Sequence, residues 1–260
     1  MIRFFQRNFS AIFTFIILSF TAFSLAEVHE KPAQNSIKPK NDKVSLTTEK
    51  NISSVYDSLH LEAKGLTQPA FDYAIKSYSM LKKKGLLDND SIITIVDFDQ
   101  PSYKKRMYII DIKHYKVIFN TWTAHGKNTG TAIAKNFSNT PNSLKSSLGV
   151  YVTDETYMGK HGYSLRLIGL EKCNSSTFDR AIVVHGASYV SQKMINNQGY
   201  IGRSFGCPAV PEELSKPIID KIKGRSCFFI YNSSYRPSIL VWKYRTNLQI
   251  RLDFFNLIFF

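Results

Sequence analysis

Ile92-Ile93-Thr94-Ile95-Val96-Asp97-Phe98 is where the chain changes period. Met107-Tyr108-Ile109-Ile110-Asp111-Ile112 and Val117-Ile118-Phe119-Asn120-Thr121-Trp122 follow, each β-branched or aromatic and separated by turn-prone residues. Short runs of this kind read as strands. Gly149 to Thr153, Leu165 to Leu170, Ala181 to Val184 and Cys227 to Tyr231 extend the series, while Pro211 to Lys223 reads as a helix with Glu212 and Glu213 in its first turn. The expectation is a mainly β domain with peripheral helices, an α+β arrangement.

Upstream the period is helical. Ser54 followed by Asp57 resembles a helix start, with Val55 and Leu59 on one face. A second helix carries Phe71, Ala74, Ile75, Tyr78 and Leu81, and Lys82-Lys83-Lys84 stands at its end, where positive charge offsets the helix dipole before Gly85 stops it. Residues 53–90 therefore read as a short helical segment that opens the folded unit, whose β-rich part spans 91–238. No internal repeat of solenoid or propeller length is present.

Arg3 and Arg7, an apolar run from Phe9 to Phe23 and the small residues of Ser24-Leu25-Ala26 predict a cleaved signal peptide over 1–26. An uncleaved anchor is the competing reading, but the run is short for a span and holds Thr14, Ser19 and Thr21. Residues 27–52, rich in Lys, Asn, Thr and Pro without apolar period, read as a flexible leader. Residues 239–260 form an apolar tail, too interrupted to span a bilayer; an extra strand, an interfacial segment and a tail of poor solubility stay open. The net charge of +14 falls to +12 once the two arginines of the signal are removed. Such charge favours an anionic envelope polymer over nucleic acid here, because the lysines are dispersed and no nucleic-acid motif accompanies them.

The chemistry centres on Arg203-Ser204-Phe205-Gly206-Cys207-Pro208, with His185-Gly186 at the end of the run Ile182-Val183-Val184. A thiol becomes nucleophilic as its proton leaves, so Cys207 with His185 as base is the minimum machinery for acyl transfer. Gly206 lets backbone approach a ligand, and Pro208 has no N–H, so an oxyanion hole has to use amides at or before Cys207. Ser204 is expected to fix the loop by hydrogen bonds. Gly186 supplies no side chain to orient His185, which points to a backbone carbonyl or a distant residue for that task. A lone cysteine is usually structural, and its neighbours are what change that reading.

Two rivals compete. Gly202-Arg203-Ser204-Phe205-Gly206 fits the G-x-S-x-G elbow, but all six histidines precede Ser204, whereas an α/β-hydrolase needs one after it. Zinc is suggested by His125, His161 and His185, each followed by glycine, yet no H-x-H or H-E-x-x-H spacing supports it. No metal and no cofactor are expected. Cys173, Cys207 and Cys227 make an odd count for an exported chain, so at least one thiol should be free; a Cys173–Cys227 bond and two buried thiols stay open.

Arg180-Ala181-Ile182-Val183-Val184-His185-Gly186-Ala187 through Gly202 to Ala209 resembles the murein L,D-transpeptidase catalytic-domain family. Ala124-His125-Gly126, Phe137-Ser138-Asn139, Ser147 to Tyr151 and Tyr157 to Gly162 are similar too, so the likeness runs from about Ser53 to Tyr231. The resemblance implies a β-sandwich or barrel in which Cys207 attacks a peptidoglycan tetrapeptide stem and His185 is the general base. D-alanine leaves, and an amine of a second stem resolves the thioester. If water resolves it, the enzyme is an L,D-carboxypeptidase, or a hydrolase releasing wall-attached protein. A basic wall-binding module with an inert Cys207 is the non-enzyme alternative. Phe205 stands where the better-known S-H-G-C pattern has a second histidine, and Pro208-Ala209 follows the cysteine, as in a branch with S-F/W-G-C-P. Arg203 is assigned a substrate carboxylate, with a structural salt bridge as the alternative, and His125 or His161 the polar work absent at Phe205. The expected setting is the periplasm or cell envelope, with peptidoglycan stem peptides as partners, no nucleic acid, no membrane span after cleavage, and a monomer. A catalytic thiolate of this kind should label at mildly acidic pH and lose that preference in His185→Ala.

Overall fold

The computed structural model describes residues 55–237; the expected signal peptide, leader and C-terminal tail lie outside them. The elements run α1 (Gln68–Lys83), β1 (Ile92–Asp97), β2 (Met107–Asp111), β3 (Lys116–Thr121), β4 (Gly149–Gly159), β5 (Gly162–Gly169), β6 (Val183–Gly186), α2 (Gln192–Gln198), β7 (Ala209–Val210), α3 (Glu212–Ile222) and β8 (Cys227–Tyr231). The strands form one eight-stranded sheet in the order β3-β2-β1-β8-β4-β5-β6-β7. The pairs β1–β8 and β6–β7 are parallel and the others antiparallel.

The two ends of that order meet, which makes the sheet barrel-like. Just past β3, the Thr123 hydroxyl and the Ala124 N–H both donate to the Ala209 carbonyl of β7, at 3.1 and 2.8 Å. Contact of this kind covers one end of the sheet edge. It also ties the strand that follows Cys207 to the far end of the sheet.

Strands β1, β2 and β8 are buried along their whole length. Their mainly apolar character, interrupted by the buried Thr94, Asp97 and Asp111, fits strands under cover, and α1 packs on β1 and β8. Phe71, Ala74, Ile75, Tyr78 and Leu81 form the buried stripe of α1, as the helical period predicts. Lys82 and Lys83 stand in its last turn. Upstream, the expected helix from Ser54 is a single turn over residues 55–58 that runs into turns. Burial of Leu59 and Leu61 in the core outweighs the weak drive of so short a helix to continue.

Several strands differ from expectation: β5 starts at Gly162 and β6 runs from Val183 to Gly186, each shifted by two or three residues. β4 continues past Thr153 to Gly159, through a register shift between Thr153 and Thr156, into a polar arm that leaves the core. β7 is two residues long and exists because it pairs with His185 and Gly186. Cys173, Cys207 and Cys227 are all free thiols. Cys227 is buried within β8, and the Cys173 thiol donates to the Leu148 carbonyl at 3.3 Å. No helix among the described residues is long and apolar enough to cross a membrane.

Candidate active site

Alternation along β5 and β6 decides which residues reach the site. Leu165, Leu167 and Val184 join the main core. The opposite face carries Ser164 across from His185 and Arg166 across from Val183. His185 is buried, and its Nδ1 lies 2.9 Å from the Gly186 carbonyl. A carbonyl only accepts, so Nδ1 carries the proton and Nε2 keeps its lone pair as a base. The orienting group is thus the backbone of the next residue.

His161 reaches the same place from a different element. Gly159 pairs with Gly162 at the tip of the β4–β5 hairpin, and the turn between them presents His161. Its ring stacks on that of His185, with centroids 4.3 Å apart and planes 21° apart. Burial lowers the His185 pKa below the usual imidazole value; the Gly186 carbonyl opposes this and His161 adds to it. The His185 ring is therefore neutral at pH 7.

Cys207 precedes β7, and its sulfur is held on the adjoining strand. Sγ accepts from the Val183 N–H at 3.5 Å and donates to the Ala181 carbonyl at 3.7 Å. Burial pushes the thiol pKa up, against the lowering pull of the Val183 N–H and the Arg180 charge. The resting pair is thus neutral thiol and neutral imidazole, and the expected labelling at mildly acidic pH gives way. Alkylation of Cys207 by iodoacetamide should rise with pH and reach its midpoint above the ordinary thiol range, read by mass spectrometry against Cys207→Ala. A midpoint below pH 7 would overturn this. Burial raises the other two thiols as well, Cys173 to about 12, so they contribute little label.

Ser204 binds its own loop. Its hydroxyl donates to the Cys207 carbonyl at 2.6 Å and accepts from the Gly206 N–H at 3.0 Å. Its N–H donates to the His125 carbonyl, and its carbonyl accepts from Lys127. A hydroxyl so placed offers nothing to the elbow reading. Gly206 has φ +130°, and a Cβ there would sit 2.9 Å from the Lys145 carbonyl oxygen, so only glycine fits the bend. The Ser146 hydroxyl donates to its carbonyl at 3.1 Å. With the Ser204 and Gly206 amides spent, an oxyanion on this loop has the Phe205 and Cys207 amides left to draw on.

His125 is placed otherwise than expected. It is buried, with Nδ1 accepting from Arg106 Nη2 at 2.7 Å and Nε2 3.2 Å from the Gly130 carbonyl. Both nitrogens are spent inside the protein, so in this arrangement it offers none to a substrate. Arg203 Nη1 donates to the Lys127 and Gly130 carbonyls, both at 3.2 Å. Sequence reasoning did not single out Arg106 or Arg180. Arg106 is fully buried, bound to the Thr123 and Gln100 carbonyls, and lies over Phe98. Arg180 donates to Ser138, Ser147 and Lys145 beside the cysteine loop. A charge at the head of an aliphatic strand, as in Arg106-Met107, was the available signal for the first.

The profile of the L,D-transpeptidase catalytic domain family matches residues 62–231, more than half of the chain. No curated protein matches it. Among solved structures it is similar to an L,D-transpeptidase from Mycobacterium smegmatis, at 11% identity and TM-score 0.35 over 55% of this chain and 59% of that one. It is also similar to the helical cell shape determining protein Pgp2 from Campylobacter jejuni, at 12% identity and TM-score 0.37 over 68% and 60%. A third is an L,D-transpeptidase from Xylanimonas cellulosilytica, at 15% identity and TM-score 0.33 over 64% and 81%. The chain spans less than two thirds of the length of the first two.

Proposed function

Because the chain belongs to the L,D-transpeptidase catalytic domain family, we propose that it is a peptidoglycan L,D-transpeptidase with Cys207 as nucleophile and His185 as base. The observation that carries the reading is a neutral imidazole with Nδ1–H fixed to the Gly186 carbonyl, one strand from a half-buried thiol. The thiol proton passes to His185 Nε2 as sulfur attacks the carbonyl at the L-centre of the diaminopimelate residue. The resulting oxyanion takes the Phe205 and Cys207 amides. Collapse expels D-alanine, whose amine receives the proton from His185, and leaves a thioester. An amine of a second stem then attacks, gives its proton to His185, and the departing thiolate recovers it. Because both partners start neutral, proton transfer accompanies attack.

The protein acts as an exported monomer in the periplasm or envelope, where its positive charge favours association with an anionic polymer. Purified tetrapeptide muropeptides incubated with the full chain and with Cys207→Ala, followed by mass spectrometry, test the reading. Cys207-dependent dimers with loss of D-alanine are expected. Loss of D-alanine without dimers makes the enzyme a carboxypeptidase, and no change with either protein favours the wall-binding alternative.

A further inference from the structure

The hairpin that delivers His161 also builds a clamp around one cation. Arg166 of β5 lies 4.4 Å from the centroid of the Tyr157 ring and 5.7 Å from that of Phe178, whose side chain is exposed. Gly159 makes the first contact available, because a Cβ there would stand 2.5 Å from Tyr157 Cε2. Stacking occupies the faces of a guanidinium and leaves its in-plane N–H groups to other partners.

Those donors are unspent. Glu155 Oε1 lies 3.2 Å from Nε, but Nε is buried without hydrogen-bond geometry, and the side chain makes no hydrogen bond among the described residues. Glu155 is mostly exposed, a loose tether that another carboxylate can replace. Two other arginines are bound within the fold, Arg180 to Ser138, Ser147 and Lys145 and Arg106 to Thr123, Gln100 and His125, while Arg203 gives Nη1 to the Lys127 and Gly130 carbonyls.

The register places the clamp beside the chemistry. Tyr157, Ser164 and His185 form one cross-strand row, and Arg166 and Val183 form the next. The Val183 N–H holds Cys207 Sγ. Neighbouring strands are about 5 Å apart, so the backbone of Arg166 stands one strand from Val183, whose N–H holds the sulfur.

We propose that Arg166, held over the Tyr157 and Phe178 rings, is the specificity-determining residue that takes a carboxylate of the donor stem peptide, a task the sequence had assigned to Arg203. The proposal rests on the peptidoglycan reading above. A planar fork pairs with a carboxylate bidentately and gains far less from an amide.

The test compares a tetrapeptide stem with analogues whose carboxylates are converted to primary amides one at a time, using full-length protein, Arg166→Gln and Phe178→Leu. One amide should lower wild-type kcat/KM by about 10–100-fold, the range for a charge-assisted hydrogen-bond pair. Arg166→Gln should lose the same factor on the acid, chiefly in KM, and be unchanged on that amide, with Tm retained. Phe178→Leu, a surface change, should erode the acid preference several-fold. Equal losses on acid and amides in Arg166→Gln, or no loss, remove the subsite alone. Absence of Cys207-dependent turnover on every peptide removes the peptidoglycan reading and the subsite with it.

Discussion

His185→Asn should lower kcat for acyl transfer by about 10²–10⁴-fold, the range over which a positioned acid–base group acts, with Tm close to wild type. Asparagine can still donate to the Gly186 carbonyl, so the change removes the base and spares the anchor. The pH profile separates this from a packing defect. Only the unprotonated imidazole accepts a proton, so wild-type kcat/KM should rise with pH through a midpoint below the usual imidazole value, where burial and His161 have moved it. His161→Ala relieves both lowering influences, since it takes away the neighbouring ring and admits water. Its acid limb should move up towards 6.5, so that activity is lost earlier on acidification. Steady-state assays between pH 5 and 8 on the tetrapeptide read both effects. A His161→Ala limb coincident with wild type leaves the stacked ring without an electrostatic role, and a His185→Asn enzyme of near-normal kcat removes the base assignment.

The sequence was legible wherever local chemistry alone decides. β8 was expected at Cys227 to Tyr231 and lies there, because Gly224, Arg225 and Ser226 bound it on one side and Asn232 on the other. The loop role of Ser204 was readable from residue type, since a hydroxyl three residues before a bend satisfies backbone groups within reach. Register, by contrast, is not written in any one segment. The stacking of His161 on His185 needs a hairpin tip and a strand to be aligned, and Arg166 meets Tyr157 and Phe178 only once β4, β5 and the loop before β6 are assembled. Arg203 was assigned its role from its place in the cysteine loop, whereas the Lys127 and Gly130 carbonyls that its Nη1 meets lie far back in the chain and were not readable there. The end of β4 was missed for a related reason: Asp154, Glu155 and Thr156 interrupt the apolar pattern because the arm has left the core.

Acid should unfold the protein through His125 in particular. That ring is buried against Arg106, and burial first, then the Arg106 charge, lowers its pKa from 6.5 to about 3. An unfolded chain binds a proton there below pH 6.5, and the folded chain does so only near pH 3. Stability supplied by the neutral ring is therefore complete above 6.5 and drains away as pH falls through that window. At about 1.4 kcal/mol per unit, the loss from pH 7 to pH 3 is of the order of 3–5 kcal/mol, a large part of the margin of most domains. The consequence reaches the active site, because the His125 carbonyl holds the Ser204 N–H and the adjoining Thr123 and Ala124 close the sheet onto β7. Urea denaturation at several pH values should show the slope in wild type and a flatter one in His125→Gln, whose remaining slope belongs to the carboxylates. NMR of the folded protein should find the His125 ring neutral at pH 5 with its proton on Nε2. Protonation of that ring near 6.5 in the folded state would show that Arg106 does not hold it neutral, and the acid sensitivity would then have to come from the carboxylates alone.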